Sequence, residues 1–287
     1  MTGSSTWASA GDLARRVEDQ GFSGMLYTET GQAPWMQIAA AAMAAPSLTF
    51  TTGIAVAFPR SPMVSAQVAW ELAGETNGKF RLGLGSQVKG HVVRRYSSDF
   101  DRPARRLLDY VMAVKACLRA FRGEERLSHE GEFYNLSLLP DSWKPRSHDF
   151  GDIKVDISSV GPLMNNVAGQ IADGVHVHPM HSMHYIENRL LPEVAQGAEA
   201  AQRKASDIDL IVPVFAVAGD TAEERAPWVH RAKTQIAFYG TTPNYAFQFE
   251  DLGFEGVTKA LGDKMKAGDM QGMADTISDE MLDHFAL

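Results

Sequence analysis

From one end to the other, the chain alternates between short apolar runs of strand character and longer stretches with helical periodicity. Few folds accommodate that alternation. Strands separated by helices of ten or more residues form parallel βαβ units with right-handed crossovers. Residues 11–20 read as a helix with Leu13, Ala14 and Val17 on one face and Gly21 as its stop. Gly24–Thr28 follows as a strand, 34–45 as a helix between Pro34 and Pro46, and Leu48–Val56 as a β-branched strand interrupted by Gly53. The pattern continues with a helix over 62–77, a strand over Phe80–Leu84 and a helix over 103–122. Beyond it come a strand at Ile153–Ser158, a helix over 162–172 and a strand at Val175–His178. A helix over 182–204, a strand at Ile208–Ala218, a helix over 221–238 and mainly helical residues over 255–284 complete it.

Six strands are countable, and the expected fold is an α/β TIM (β/α)8 barrel, incomplete at its first and last strands, in a single domain over 1–287. Residues 125–140 read as a hairpin insertion turning at Glu130-Gly131. The first residues are too polar for a buried strand, and no strand-like run follows the last helix. A doubly wound open sheet is the alternative, weakened by the absence of a glycine fingerprint after the first strand.

Charge narrows the partners. With 35 acidic and 27 basic residues the net charge is −8, which argues against a polyanion such as nucleic acid. The basic cluster of Arg94, Arg95, Arg102, Arg105 and Arg106 reads as a solvated helix face. No run of about 18 apolar residues suggests a membrane span, and the N-terminus lacks secretory-signal character, so a cytoplasmic protein is expected. Cys117 is the only cysteine, which excludes an internal disulfide and Cys-based metal sites.

Five segments carry polar or glycine residues just after strands, where α/β folds place their sites. Glu29 and Thr30 follow the first strand, either as acid, base or cofactor-orienting groups or as caps of the next helix. Gly53, followed by Ile54 and Ala55, marks a bulge or a close backbone approach. The strand ending Gly83-Leu84-Gly85 presents Ser86 and Gln87, with His91 downstream. Val160-Gly161 before Pro162, Leu163 and Met164 forms a strand–turn–helix start whose free N–H groups suit a phosphate. His176 and His178 alternate along a strand and face one side; cofactor contact is favoured there over a metal, because no acidic cluster partners them.

Together these segments resemble the luciferase-like flavin-dependent monooxygenase superfamily, and most closely an actinobacterial type of coenzyme F420-dependent oxidoreductase. The resemblance rests on GIAVAFPRSPMVSAQVAWELAGETNGKFRLGLGSQVKGH, HEGEFYNLSLLP, SSVGPLMNNVAGQIADGVHVHP and IAFYGTTPNY. It implies a TIM barrel, a homodimer, and F420 (alternatively FMN) with its ring over a bulge at Gly53-Ile54, often a non-prolyl cis peptide. It further implies a phosphate turn at Val160-Gly161 with Leu163 and Met164, a cofactor-tail contact at His178, and Ser86 and Gln87 near the ring. Glu29-Thr30 stands where well-studied F420 members carry an Asp-His pair, and Ser86 where some carry an acidic proton donor. The implied activity is hydride transfer between the deazaflavin and a small organic substrate, with His91 or His176 contacting substrate. A flavin-binding barrel without turnover, and a metal-dependent hydrolase built on His176 and His178, are the rival readings.

Overall fold

The computed structural model describes residues 5–287, which divide into two compact units. The first unit runs to His176 and takes in Val194–Leu210; the second comprises Val177–Glu193 and Ile211–Leu287.

The first unit opens with α1 (Trp7–Asp19), four residues earlier than apolar spacing indicates, because the Thr6 side chain caps it by accepting from the Ser9 N–H. Then come β1 (Gly24–Tyr27), α2 (Trp35–Ala44), β2 (Thr49–Thr52), β3 (Ala55–Val56), α3 (Pro62–Glu75) and β4 (Phe80–Gly85). Helices α4 (Lys89–Arg94) and α5 (Pro103–Phe121) follow; α4 occupies what reads in sequence as a glycine-rich loop. A short antiparallel pair, β5 (His129–Glu130) and β6 (Asn135–Leu136), is the expected hairpin. Asp109 of α5 stitches it down by accepting from the Phe133 and Tyr134 N–H groups at 2.6 and 3.0 Å. Strand β7 (Val155–Ser159), α6 (Pro162–Ile171) and β8 (Gly174–Val177) return the chain to the sheet.

The sheet order is β1-β2-β4-β7-β8-β9, with β3 beside β4 and β9 at Asp209–Ile211. The pairs β1–β2, β2–β4, β3–β4 and β4–β7 are all parallel. This is the curled half-barrel of a TIM-type α/β fold, as expected. Period-two alternation gives the strands two faces. Tyr27, Phe50, Leu82, Leu84, Val155 and Ile157 are fully buried on the helix-facing side, each contributing roughly 2 kcal/mol. The other face carries Leu26, Thr51, Arg81, Gly83, Gly85, Asp156, Ser158 and His176. Helices α6 and α8 (Leu191–Ala200) meet at glycines: a Cβ on Gly169 would overlap the Val194 carbonyl, and one on Gly197 the Asn166 carbonyl.

The expected strand over 208–218 is a correction: regular pairing ends at Ile211. Pro213 has no N–H to give a ladder. Within the second unit a single bridge, Phe215 with Ala286, takes over, and Leu287 bonds Phe215 and Val217. A strand-like partner therefore does follow the last helix. The first four residues, where a first strand was not expected, lie outside the described residues.

The second unit also holds α7 (Met183–Tyr185), a π-helical turn over Ile186–Leu190, and α9 (Ala222–Gly240), opened by a Thr221–Glu224 capping box. Helices α10 (Phe247–Glu250), α11 (Val257–Ala267), α12 (Met270–Thr276) and α13 (Asp279–Phe285) pack on α9 around Ile236, Phe249, Leu261, Met273, Ile277 and Phe285. Among the described residues no helix is long and apolar enough to cross a membrane.

Candidate active site

The register of β2 and β3 against β4 locates the bulge. Phe50 pairs with Phe80 and Thr51 with Arg81, an offset of 30, whereas Ala55 pairs with Leu84 and Val56 with Gly85, an offset of 29. One extra residue is therefore inserted between Thr51 and Ala55. The insertion contains a cis peptide bond at Gly53-Ile54, as the resemblance implies. Thr52 fills the break in the ladder with its side chain: Oγ1 donates to the Gly83 carbonyl at 2.7 Å and accepts from the Gly83 N–H at 2.9 Å. On the other flank the Gly53 N–H donates to the Tyr27 carbonyl at 2.9 Å.

The bulge and the Val160-Gly161 turn are neighbours, with Gly85 leaving room between them. A Cβ on Gly85 would stand 2.7 Å from Ile54 Cδ1 and 2.5 Å from Ser158 Oγ. Ser158 is two residues before Val160. Ile54, Gly85, Ser158 and the Val160-Gly161 turn thus form one row across the C-terminal ends of β3, β4 and β7. At the turn, the Gly161 carbonyl receives the Met164 and Asn165 N–H groups at 3.0 and 2.9 Å. Pro162 has no N–H to offer, so of the first helical donors Leu163's remains for a ligand, while Met164's is used internally. An added Cβ on Gly161 meets nothing within 4 Å, so the turn faces open space. Ser159 Oγ is buried there without a hydrogen-bond partner among the described residues. These features fit a phosphorylated ligand whose flat end rests on the bulge.

Below the bulge lies a buried polar chain. Asp156, fully buried, takes a two-point ion pair from Arg81 at 2.8 and 2.7 Å, and Arg81 also reaches Asp209 at 2.8 Å. The hydrogen bonds it donates to Asp156 hold the Arg81 guanidinium well above its ordinary range. His176 stands 3.7 Å from Asp156, but burial pushes its imidazole down to about 4, so the contact is not an ion pair at neutral pH. Its Nε2 is buried and has no hydrogen-bond partner among the described residues.

Other expected residues fall around this row. Glu29 is buried at the end of β1, with Arg60 donating to both carboxylate oxygens at 2.7 and 2.6 Å and Tyr96 donating at 3.4 Å. Thr30 is exposed, and its carbonyl accepts from the Arg95 guanidinium. His91 is exposed on α4, where its carbonyl accepts from the Arg95 and Tyr96 N–H groups. Ser86 and Gln87 close the turn after β4: Ser86 Oγ donates to the Gln87 carbonyl at 3.2 Å, and Gln87 Oε1 accepts from the Val88 N–H at 3.0 Å. Gln87 adopts φ +57, so its side chain is spent on the turn.

His178 departs from its expected place. It lies one residue past β8 and belongs to the second unit. There its ring packs against Tyr239 and Tyr245 at 4.8 and 4.6 Å, and Nδ1 accepts from the Met180 N–H at 3.1 Å. Burial pushes it, too, down to about 4. Among the described residues no group of three or more His, Cys, Asp or Glu side chains is placed to hold a metal ion.

Reasoning from sequence missed Arg60, Thr52, Arg81 and Asp156. The signal for the last two was present: a charge within each of the strands FRLGLG and VDISS, where a buried charge demands a partner.

A parallel half-barrel with a bulged strand beside a strand–turn–helix start at its C-terminal rim defines an α/β fold of the TIM-barrel type. The chain belongs to the luciferase-like monooxygenase family, whose model matches residues 1–287, and it is an oxidoreductase of that family. An uncharacterised protein of Mycobacterium tuberculosis is 34% identical over 280 residues, 98% of this chain and 82% of that protein. The 5,10-methylenetetrahydromethanopterin reductase of Methanolobus tindarius is 22% identical over 96% of this chain and 80% of its own length. Among solved structures, the coenzyme F420-dependent tetrahydromethanopterin reductase from Methanopyrus kandleri superposes with a TM-score of 0.80 at 18% identity, covering 98% of this chain and 82% of that one. A monooxygenase from Streptomyces bottropensis reaches a TM-score of 0.65 at 19% identity, covering 98% and 94%.

Proposed function

We propose that this protein is an F420-dependent oxidoreductase that moves a hydride between the deazaflavin and a small organic substrate. The observation carrying this reading is the row from the Gly53-Ile54 bulge through Gly85 and Ser158 to the open turn at Gly161. The reductase relatives support F420 over FMN, the alternative cofactor. When bound, the deazaflavin supplies the hydride chemistry.

The protein's own residues position and exclude. Gly53, Ile54 and Ala55 offer the backbone platform for a flat ring. Gly161 and Leu163 offer N–H groups and a helix start for a phosphate. His176, held neutral by burial, backs the platform from beneath, beside Gly83. The exposed Thr30, in the segment after β1, and His91, on α4, are the groups proposed to meet a substrate.

Titration of the purified protein with F420 and separately with FMN, followed by fluorescence and absorbance, tests the reading. Saturable one-to-one binding of F420 with little response to FMN is expected, followed by hydride exchange with an added acceptor or donor. Preferential FMN binding would transfer the role to that cofactor. Binding of neither would end the proposal.

A further inference from the structure

We propose that Arg60 is the positioning residue of the ring platform and that it acts through Glu29. The inference rests on the reading of Gly53–Ala55 as a cofactor platform, and it assigns the side chains that hold that segment in place.

Glu29 grips the segment at both ends. Its N–H donates to the Ile54 carbonyl at 3.4 Å, and its Oε2 accepts from the Val56 N–H at 2.8 Å. With its side chain only 3% exposed, this carboxylate would be costly to bury without a cation. Arg60 supplies one in two-point fashion, Nη1 on Oε2 and Nη2 on Oε1, and the same Nη1 donates to the Val56 carbonyl at 2.7 Å. Arg60 therefore touches the platform twice, once directly and once through Glu29. Its guanidinium lies 5.6 Å from the Trp35 ring centroid, which fixes its plane. Tyr96, in the segment after α4, supplies the third side-chain hydrogen bond to the carboxylate, on Oε1.

These bonds give Glu29 a role different from proton transfer. Three donors besides the Val56 N–H converge on its two oxygens, so the carboxylate is a bracket, and the guanidinium is what keeps it aimed. A lysine has one compact charge and cannot reproduce the fork.

The experiment uses the full chain carrying Arg60→Ala, Arg60→Lys or Glu29→Gln, with two readouts. The first is amide hydrogen exchange at Val56 in the protein without added cofactor. The second is the dissociation constant for F420, or for FMN if that is the ligand bound, with and without millimolar guanidinium ion. Arg60→Ala and Arg60→Lys are each expected to speed Val56 exchange and weaken cofactor binding by about tenfold or more, the loss of a charge-assisted bond. Exchange within α5 should stay unchanged, and guanidinium should restore binding to Arg60→Ala. Val56 exchange at the wild-type rate overturns the proposal, as does faster exchange with unaltered affinity. If the wild-type protein binds neither cofactor, the functional reading falls, and exchange alone decides whether Arg60 holds the segment. If Arg60→Ala does not fold, Glu29→Gln decides through the same exchange and affinity readouts. It keeps an amide oxygen for Val56 but loses half of the fork.

Discussion

Gly83→Ala is expected to lower stability by about 3 kcal/mol, at the upper end of what overpacking costs. The added methyl would overlap the Thr52 carbonyl oxygen and stand 2.6 Å from His176 Nε2. Neither neighbour can yield cheaply. Thr52 is tied to this same residue through both the N–H and the carbonyl of Gly83, so shifting it breaks two buried hydrogen bonds that bridge the ladder gap. His176 is enclosed and cannot swing into water. For a chain of this size the midpoint of thermal unfolding should fall by roughly 6–12 °C. Because the displaced atoms adjoin Gly53, cofactor affinity should fall with it. A melting midpoint within about a degree of wild type, well below the loss expected from overpacking, would show that the packing around the bulge is looser than described.

Acidification is the second large effect. His176 and His178 are both held neutral by burial, at about 4, against an ordinary value of 6.5. Below pH 6.5 the unfolded chain takes up protons at these sites, while the folded chain takes them up only near pH 4. The unfolded state thus binds more protons in that interval, and stability rises with pH across it. The contribution is fully present above about pH 6.5 and is lost as the pH falls towards 4. Between pH 6.5 and 5 each imidazole should remove roughly 1–2 kcal/mol, a window lying mostly above carboxylate titration. Urea unfolding at a series of pH values measures this directly. A free energy as high at pH 5 as at pH 7 would mean that the two rings are not shielded.

Legibility in the sequence followed periodicity. The strand at Gly24–Thr28, the helix over 34–45 and the helix over 103–122 are bounded by Gly, Pro and apolar spacing, and they form within a residue or so of where these signals place them. Gly53 pointed to the bulge because an isolated glycine in a β-branched run has few other uses. What escaped depends on contacts between distant residues. Nothing near Arg60 in sequence indicates that it will meet Glu29, 31 positions earlier. Strand β8 was placed one residue too late in the sequence, which put His178 on the strand rather than just past its end. The apolar run after Ile208 reads as a buried strand, yet Val212 and Val214 are 39% and 52% exposed. Hydrophobicity alone did not reveal that Pro213 ends the pairing.

Gly161, at the turn proposed to hold a phosphate, offers the most direct test of that proposal. Gly161 has ordinary backbone geometry (φ −98) and open space in front of it, so Gly161→Asp should fold with an unchanged melting midpoint. A carboxylate at that helix start would repel a phosphate and occupy its N–H donors. Titration of this variant with F420 and FMN should show affinity reduced by about tenfold or more for whichever cofactor the wild-type protein binds. Wild-type affinity in the folded variant would place the phosphate elsewhere and contradict the account.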